Sequence, residues 1–205
     1  MPGSHDAMFG PASTLAATHF ARKNRRATIG PRRTAIECYD AFIAAHSLEK
    51  DLMSNSMLAI TNLLYGYAEA FDAGDLERAA KLFRHARIKV RDRVELLDEI
   101  GLLALWREHV KIYPCGTPRT KHVVTNPIIE IDESAGKASA RSCYTVYQAT
   151  ENFPLQLIAT GRYHDQFERV DGIWRFAHRD YSLLDMIGDM SFHLNVPVTA
   201  DAKGS

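Results

Sequence analysis

Two side chains of this chain have the types and the order needed for proton transfer. Asp72 lies at the end of a predicted amphipathic helix, and His122 lies later, at the start of a predicted apolar strand. A carboxylate that holds the Nδ1–H of a histidine orients the imidazole and stabilises its protonated form, so that Nε2 can remove a substrate proton near neutral pH. Each residue also has a structural interpretation, because Asp-Ala-Gly-Asp suits a turn and a strand histidine is often only hydrogen-bonded.

Signatures of other catalytic classes are missing from the sequence. It has no Gly-rich phosphate loop, no G-x-S-x-G nucleophile turn and no Cys–His nucleophile pattern. Four further histidines lack the H-x-x-x-H or carboxylate spacing of a metal site and are interpreted as surface or core residues: His85, His109, His164 and His178. We therefore expect chemistry that needs no cofactor and no metal.

Composition sets the broad class of the protein. Of its 205 residues 46% are hydrophobic and 24% charged, as in ordinary soluble globular proteins. The 25 basic and 25 acidic residues give zero formal net charge, which favours neither a nucleic-acid nor a membrane partner. No apolar run approaches the roughly 20 residues of a membrane span. Cys38, Cys115 and Cys143 form no C-x-x-C pair, which argues against a disulfide framework and for a reducing, cytoplasmic location.

The N-terminal stretch differs from the rest of the chain. Up to Thr34 it holds six basic residues and a single acid. Such a stretch is typical of a targeting segment, of a flexible extension or of an upstream piece added by a wrong start codon, and residues 35–50 could form one short helix. Residues 1–34 should be dispensable for folding. We expect three regions: an extension over 1–52, a folded domain over 53–190 and a C-terminal tail over 191–205.

Apolar residues at helical spacing predict three helices in the first part of the domain. The first ends near Asp72-Ala-Gly, and the second is short and capped by Asp75. A short strand over 87–91 comes before the third helix, which is expected over about 93–111. The apolar side of that third helix comprises Leu96, Leu97, Ile100, Leu103 and Ala104.

The pattern then changes from helical to strand-like. Pro127 interrupts the β-branched strand 122–131 and predicts an edge strand or a bulge. Asp171-Gly172 is the strongest hairpin signal in the chain. The other long strands are expected over 138–149, 155–170 and 173–184. Helices followed by an antiparallel meander indicate an α+β domain.

Three short motifs occur in a fixed order: Tyr65-Gly-Tyr67 with Phe71-Asp72-Ala-Gly-Asp75, then His122-x-x-Thr125-Asn126, then Asp171-Gly-x-Trp174-Arg-Phe176-x-x-Arg179. Over residues 57–190 this order resembles the nuclear transport factor 2-like superfamily, in particular its SnoaL-like branch. That branch includes scytalone dehydratase, hexachlorocyclohexane dehydrochlorinase and polyketide cyclases. The resemblance implies a cone in which three N-terminal helices pack in a strongly curved antiparallel sheet around an apolar pocket.

The resemblance also implies roles for individual residues. Asp72 and His122 match the catalytic Asp–His pair of the dehydrochlorinase, and Arg179 matches a pocket arginine of the same enzyme. The apolar pocket residues of these enzymes are not reproduced, so the substrate does not follow from the resemblance. Candidate ligand-binding residues are Tyr65, Tyr67, Asn126 and Tyr144.

The leading functional hypothesis is a cofactor-independent enzyme that acts on a hydrophobic, cyclic or polyketide-like small molecule. His122 would remove a C–H proton, Asp72 would orient it, and Arg179 or a tyrosine would stabilise the negative charge. A lyase or dehydratase, an isomerase and a cyclase all fit this arrangement. Two alternatives stay open: a non-catalytic small-molecule-binding module, and an accessory subunit similar to the small subunit of ring-hydroxylating dioxygenases.

Alternation along the last long strand bears on assembly. If Arg179 points inward, strict alternation turns Trp174 and Phe176 outward. An apolar outer face needs a second subunit to cover it, or a bulge that resets the alternation. Because members of the superfamily commonly dimerise through the outer sheet face, we expect a homodimer with Trp174 and Phe176 near its interface.

Overall fold

The computed structural model describes residues 35–91 and 93–196, apart from the side chains of 35–41. Within these ranges no helix is long and apolar enough to cross a membrane. The architecture below belongs to the compact unit that begins at Phe42, except for the first turns of α1. The elements in chain order are α1 (Ala35–Asp72), α2 (Leu76–Lys81), β1 (Arg87–Lys89), α3 (Glu99–His109), β2 (Thr120–Asp132), β3 (Lys137–Thr150), β4 (Phe153–Val170), β5 (Ile173–Asp180) and β6 (Leu184–Ile187). The predictions made for residues 1–34 and 197–205 lie outside the described ranges.

Helix α1 is longer than the sequence predicted. We expected the first helix of the domain to begin near Met53 after a separate short helix, but one helix runs from Ala35 to Asp72. Residues 35–56 contain no proline or glycine that would break it. Every residue from 42 to 55 is exposed, so no buried stripe marks this half of the helix in the sequence. Packing against the domain begins further on, with Ser56, Ile60, Leu64, Tyr67 and Phe71.

Helix α3 begins at Glu99, later than the predicted start near residue 93. Asp98 caps its first turn, and Leu97 forms an isolated β-bridge with strand β1 instead of continuing the helix. The buried face of the helix differs accordingly. Ile100, which was expected on the apolar side, is 76% exposed, and the buried side chains are Leu102 and Trp106.

The described strands form one curved sheet in the order β1-β5-β4-β3-β2, with β6 paired to β4. Helices that pack on this sheet make the α+β fold that the sequence predicted. Strand β1 pairs in parallel with β5, whereas the other pairs are antiparallel, so the sheet is mixed rather than wholly antiparallel. The direction of β1 escaped prediction because no tight hairpin joins it to its neighbour.

Two signals read from the strand sequences are confirmed. Asp171 and Gly172, with φ angles of 51° and 79°, form the two-residue turn between β4 and β5. The pairing of β2 with β3 shifts between Thr125 and Ile128, so Pro127 lies in a bulge on an edge strand.

A second bulge decides which side chains of β5 face the core. The pairing of β4 with β5 shifts at Ala177, which has no partner residue, and the alternation is reset there. As a result Trp174 is 6% exposed and Phe176 is 0% exposed, although Arg179 is buried too. The predicted location of Trp174 and Phe176 near a subunit interface is therefore wrong. Both pack inside the domain, where the Phe176 ring lies 4.6 Å from the ring of Phe83.

Candidate active site

A cavity of about 530 Å³ lies between α1, α3, the inner face of the sheet and the last described residues. Its volume is in the range of small-molecule sites, roughly 300–1,000 Å³. The wall is mainly apolar and aromatic, with a few polar groups that could orient a ligand. Its aromatic side chains are Tyr67, Phe71, Trp106, Tyr144, Tyr163 and Tyr181.

Asp72 and His122 meet at this wall. The His122 Nδ1 lies 2.6 Å from the Asp72 Oδ1, and the His122 backbone N–H donates to Oδ2 at 2.7 Å. The Thr120 hydroxyl donates a further hydrogen bond to Oδ1 at 2.8 Å. Only 7% of the His122 side chain and 6% of the Asp72 side chain are exposed. The contact predicted between the two side chains is present, in a nearly dry setting.

These contacts keep the Asp72 carboxylate ionised. Burial by itself would raise the pKa of Asp72, but the hydrogen bonds and charge of His122 and the Thr120 hydroxyl outweigh burial and hold the pKa below its ordinary value. An ionised Asp72 accepts the Nδ1–H of His122, which assigns the tautomer with a free lone pair on Nε2. The ring of His122 lines the cavity, so this basic nitrogen is the one available to a ligand.

A close approach of two glycines brings the end of α1 to the start of β2. Gly74, at a φ of 80°, turns the chain out of α1 just after Asp72. A Cβ at Gly74 would lie 1.9 Å from the carbonyl oxygen of Gly116, in the loop that leads into β2. Only glycine therefore lets this loop pack against the helix end, where Asp72 reaches His122.

Helix α1 also fixes the plane of the imidazole. The His122 ring centroid lies 5.1 Å from that of Phe71 and 6.3 Å from that of Tyr67, in edge-on arrangements at 70° and 71°. Phe71 and Tyr67 are one helical turn apart and both are buried. One stretch of helix thus supplies the carboxylate and two rings that hold the base.

The cavity tyrosines are neutral hydrogen-bond donors. Burial raises the pKa of Tyr67, Tyr144 and Tyr163, and it raises the pKa of Tyr181 to about 12. Near neutral pH their hydroxyl groups can donate to an oxygen or to a developing anion. Two of the predicted ligand-binding residues, Tyr67 and Tyr144, are among these four.

Arg179 lies behind the cavity wall and not on it. Its Nε and Nη2 donate to the two carboxylate oxygens of Asp165 at 2.7 and 2.8 Å, and both side chains are fully buried. Its guanidinium carbon is 4.2 Å from the ring centroid of Tyr163 and 4.7 Å from that of Tyr67. Contrary to the prediction, Arg179 cannot touch a ligand in this arrangement. It supports two cavity tyrosines from behind while Asp165 balances its charge.

Two other predicted ligand-binding residues also lie away from the cavity. Tyr65 is 45% exposed, because it is two residues from the buried Tyr67 and so faces another side of α1. Asn126, at a φ of 52°, is exposed in the β2 bulge. Neither side chain contributes to the cavity wall.

The C-terminal residues form part of the site, which the sequence interpretation did not anticipate. We call residues 188–196 the C-terminal strap. Backbone hydrogen bonds join it to the chain that leaves α3: Lys111 N–H donates to His193 O, and Asn195 N–H donates to His109 O, each at 2.8 Å. The alternating apolar residues Phe192, Leu194 and Val196 are the signal that could have indicated a paired segment there.

His193 of the strap is the polar group that the sequence interpretation missed. It is 6% exposed and lines the cavity together with the strap residues Met190 and Leu194. His109, which the sequence placed among surface or core histidines, lines the cavity as well. Within the described ranges no group of three or more His, Cys, Asp or Glu side chains is placed to hold a metal ion.

Comparison with known proteins places the chain in a family. The model of a family described as SnoaL-like domain matches residues 53–180, which is more than half of the chain. No curated protein sequence matches the chain.

Solved structures share the fold at low sequence identity. A point variant of Rv3472 of Mycobacterium tuberculosis, a protein of unknown function, is 24% identical over 67% of this chain and 76% of that chain, with a TM-score of 0.53. A candidate scytalone dehydratase of Novosphingobium aromaticivorans is 22% identical over 68% and 91%, with a TM-score of 0.54. The β subunit of a candidate aromatic-ring-hydroxylating dioxygenase of the same organism is 17% identical over 70% and 99%, with a TM-score of 0.52. With its nuclear transport factor 2-like fold, the chain belongs to the SnoaL-like domain family.

Proposed function

We propose that this protein is a cofactor-independent enzyme that removes a C–H proton from a hydrophobic, cyclic or polyketide-like small molecule. The observation that carries the proposal is the Asp72–His122 pair, whose imidazole opens onto an aromatic cavity. Sites with a base of this kind need no metal to work near neutral pH. The reaction classes that fit are those of a lyase or dehydratase, an isomerase and a cyclase.

The proposed chemistry begins with one proton transfer. An N–H bond forms at Nε2 of His122 as the substrate C–H bond breaks, and the electron pair stays on the substrate. Asp72 stabilises the imidazolium through Nδ1–H, and a hydroxyl group of Tyr67 or Tyr144 donates to the oxygen on which negative charge develops. In an elimination the pair expels halide, or it expels a hydroxyl group that leaves as water with the proton returned by the imidazolium. In an isomerisation the imidazolium returns the proton to another carbon. In a cyclisation the carbanion attacks a carbonyl carbon, the C=O π electrons move to its oxygen, and that oxygen takes the proton from the imidazolium.

Deuterium exchange into a simple probe tests the base directly. The probe is 1-tetralone, a bicyclic ketone with exchangeable C–H bonds next to its carbonyl, and mass spectrometry follows its labelling in D₂O. The protein should raise the labelling rate above that of buffer, and His122→Ala should return it to the buffer rate. His164→Ala, on the exposed side of β4, is the matched histidine control and should behave like the parent chain. Labelling of 1-tetralone by His122→Ala at the parental rate would refute the assignment of His122 as the base.

A binding module or an accessory subunit is the second candidate function. The similarity to the β subunit of a candidate aromatic-ring-hydroxylating dioxygenase favours the accessory subunit. Binding of 1-tetralone with no exchange above the buffer rate would support this second function and count against the first.

We further propose a homodimer formed through the outer face of the sheet. Four apolar side chains on β2, β3, β4 and β6 are between 38% and 65% exposed there: Val123, Tyr147, Leu157 and Met186. Tyr147 and Leu157 are direct cross-strand partners, so their side chains lie side by side. We call the four side chains together the outer apolar patch. We propose this patch as the interface instead of Trp174 and Phe176, which are buried inside the domain. An exposed apolar patch favours association because a second subunit would cover it.

A further inference from the structure

The C-terminal strap brings the imidazole of His193 to the cavity from outside the family-matched region. The match ends at residue 180, whereas the strap spans 188–196. Besides its two backbone hydrogen bonds to the chain after α3, the strap is held by Tyr113, whose hydroxyl donates to Phe192 O at 2.6 Å, and by Gln148, whose amide donates to the same oxygen at 3.0 Å. The Phe192 ring stacks on Phe153 with centroids 4.6 Å apart. His193 is therefore held in place by a fixed backbone.

The His193 imidazole lies close to the proposed base. The Phe71 ring contacts both histidines, with its centroid 5.1 Å from that of His122 and 6.4 Å from that of His193. The Nδ1 of His193 is buried and has no hydrogen-bond partner among the described residues. Because Nδ1 is enclosed by the protein, the opposite edge of the ring, with Nε2, is the part of His193 that can meet a ligand in the cavity.

Electrostatics keep this second ring neutral. Burial, helped by the charge of His122 and opposed by the charge of Asp72, lowers the pKa of His193 to about 4. A neutral imidazole has one N–H donor and one acceptor nitrogen. In the part of the chain that the structure describes, no hydrogen bond to Nδ1 fixes the tautomer of His193, in contrast to His122. The ring can therefore serve either a carbonyl or a hydroxyl oxygen.

We propose that His193 is a ligand-binding residue whose imidazole hydrogen-bonds an oxygen of the bound molecule. The ligand class is then an oxygenated cyclic compound, with a carbonyl or hydroxyl near His193 and an acidic C–H near His122. The placement of an acidic C–H near His122 depends on the proposed function, whereas the hydrogen bond between His193 and the oxygen does not depend on it. His109 is less suited to this role because it is only half-buried, although its Nδ1 also lacks a partner within the described ranges.

The experiment compares 1-tetralone with tetralin, which has the same rings and no oxygen. Dissociation constants of both are measured by ligand-observed NMR for the full chain and its variants. In His193→Phe the ratio of the two constants should shift towards tetralin by roughly 3- to 10-fold, the effect of one lost hydrogen bond. His193→Gln and His193→Asn keep an amide N–H and should keep part of the preference, and they serve as the test if the phenylalanine variant does not fold. His109→Phe tests the other unpartnered cavity imidazole, and His164→Phe, on the exposed side of β4, is the matched control that should leave the ratio unchanged.

An unchanged ratio in His193→Phe, or a shift found only in His109→Phe, overturns the inference. Failure of the parent chain to bind either compound overturns the ligand class and with it both proposals. The exchange assay separates the remaining outcomes. If His193→Phe leaves the ratio unchanged while the parent chain labels 1-tetralone, only the His193 contact is refuted. If His193→Phe shifts the ratio but the parent chain does not label 1-tetralone above the buffer rate, only the proposed catalysis is refuted.

Discussion

The tasks proposed for His122 and Asp72 are separable, and mutation of Asp72 should separate them. Asp72→Asn keeps the shape of the side chain but removes the charge that orients and stabilises the imidazole. Labelling of 1-tetralone should slow by about 100-fold or more. Its dissociation constant should change by less than about 3-fold, because Asp72 lies behind His122 and does not line the cavity. Equal losses in binding and in rate would contradict this division.

His193 should make the protein sensitive to mild acid. Its pKa is lowered from 6.5 to about 4 in the folded chain, so between these pH values only the unfolded chain binds the proton. The free energy of unfolding should therefore be intact above pH 6.5 and fall as the pH drops towards 4, by about 2 kcal/mol between pH 8 and pH 5. His193→Gln has no imidazole at this position, so its free energy of unfolding should fall less over the same pH range. Urea unfolding of both chains at pH 8 and pH 5 measures the difference, and equal losses would exclude a buried neutral His193.

At the scale of elements, the turn after α1 should be unusually intolerant of a methyl group. Gly74→Ala places a Cβ 1.9 Å from the Gly116 carbonyl oxygen at a φ of 80°. Gly172→Ala is the matched control, with a φ of 79° and nothing within 4 Å. The control should lose about 1 kcal/mol of stability through backbone strain alone. Gly74→Ala should lose at least twice as much and should also slow 1-tetralone exchange. Equal thermal melts of the two variants would show that the close approach is not needed.

The sequence predicted the elements whose signals are local. The Asp75 cap, the Asp171-Gly172 hairpin and the Pro127 bulge are all present, because each depends on the backbone preferences of a few adjacent residues. A short helix over 35–50 was expected, but its continuity with the domain helix was missed because the exposed half of α1 has no periodic apolar stripe.

The parts of the site that could not be predicted depend on distant partners. Arg179 was expected to face the ligand, but its orientation follows from the Ala177 bulge and from Asp165 on the adjacent strand. His193 reaches the cavity because the strap pairs with the chain after α3, far away in sequence. By contrast, the contact of Asp72 with His122 was predictable only through the family resemblance, since neither motif specifies it alone.

At the scale of the whole molecule, the outer apolar patch predicts a dimer. Leu157, 44% exposed, lies within the patch, and Leu157→Glu should leave a monomer because it would bury a charge in the interface. Ile173→Glu is the matched control, since Ile173 is 71% exposed at the β4–β5 hairpin and outside the patch. Sedimentation at micromolar concentration should give a dimer for the parent chain and for the control. A monomeric parent chain would contradict the prediction.

The separation of His122 and His193 along the chain has a consequence for how such proteins diversify. His122 lies within the strands common to the family, whereas His193 lies beyond residue 180, on a segment attached to the domain by a few hydrogen bonds. Under the two proposals, changes in that segment would alter which oxygenated compound is accepted without disturbing the sheet that holds His122. Grafting residues 188–196 onto a family member should accordingly transfer ligand preference while leaving the recipient's chemistry unchanged, so that recognition is inherited separately from catalysis.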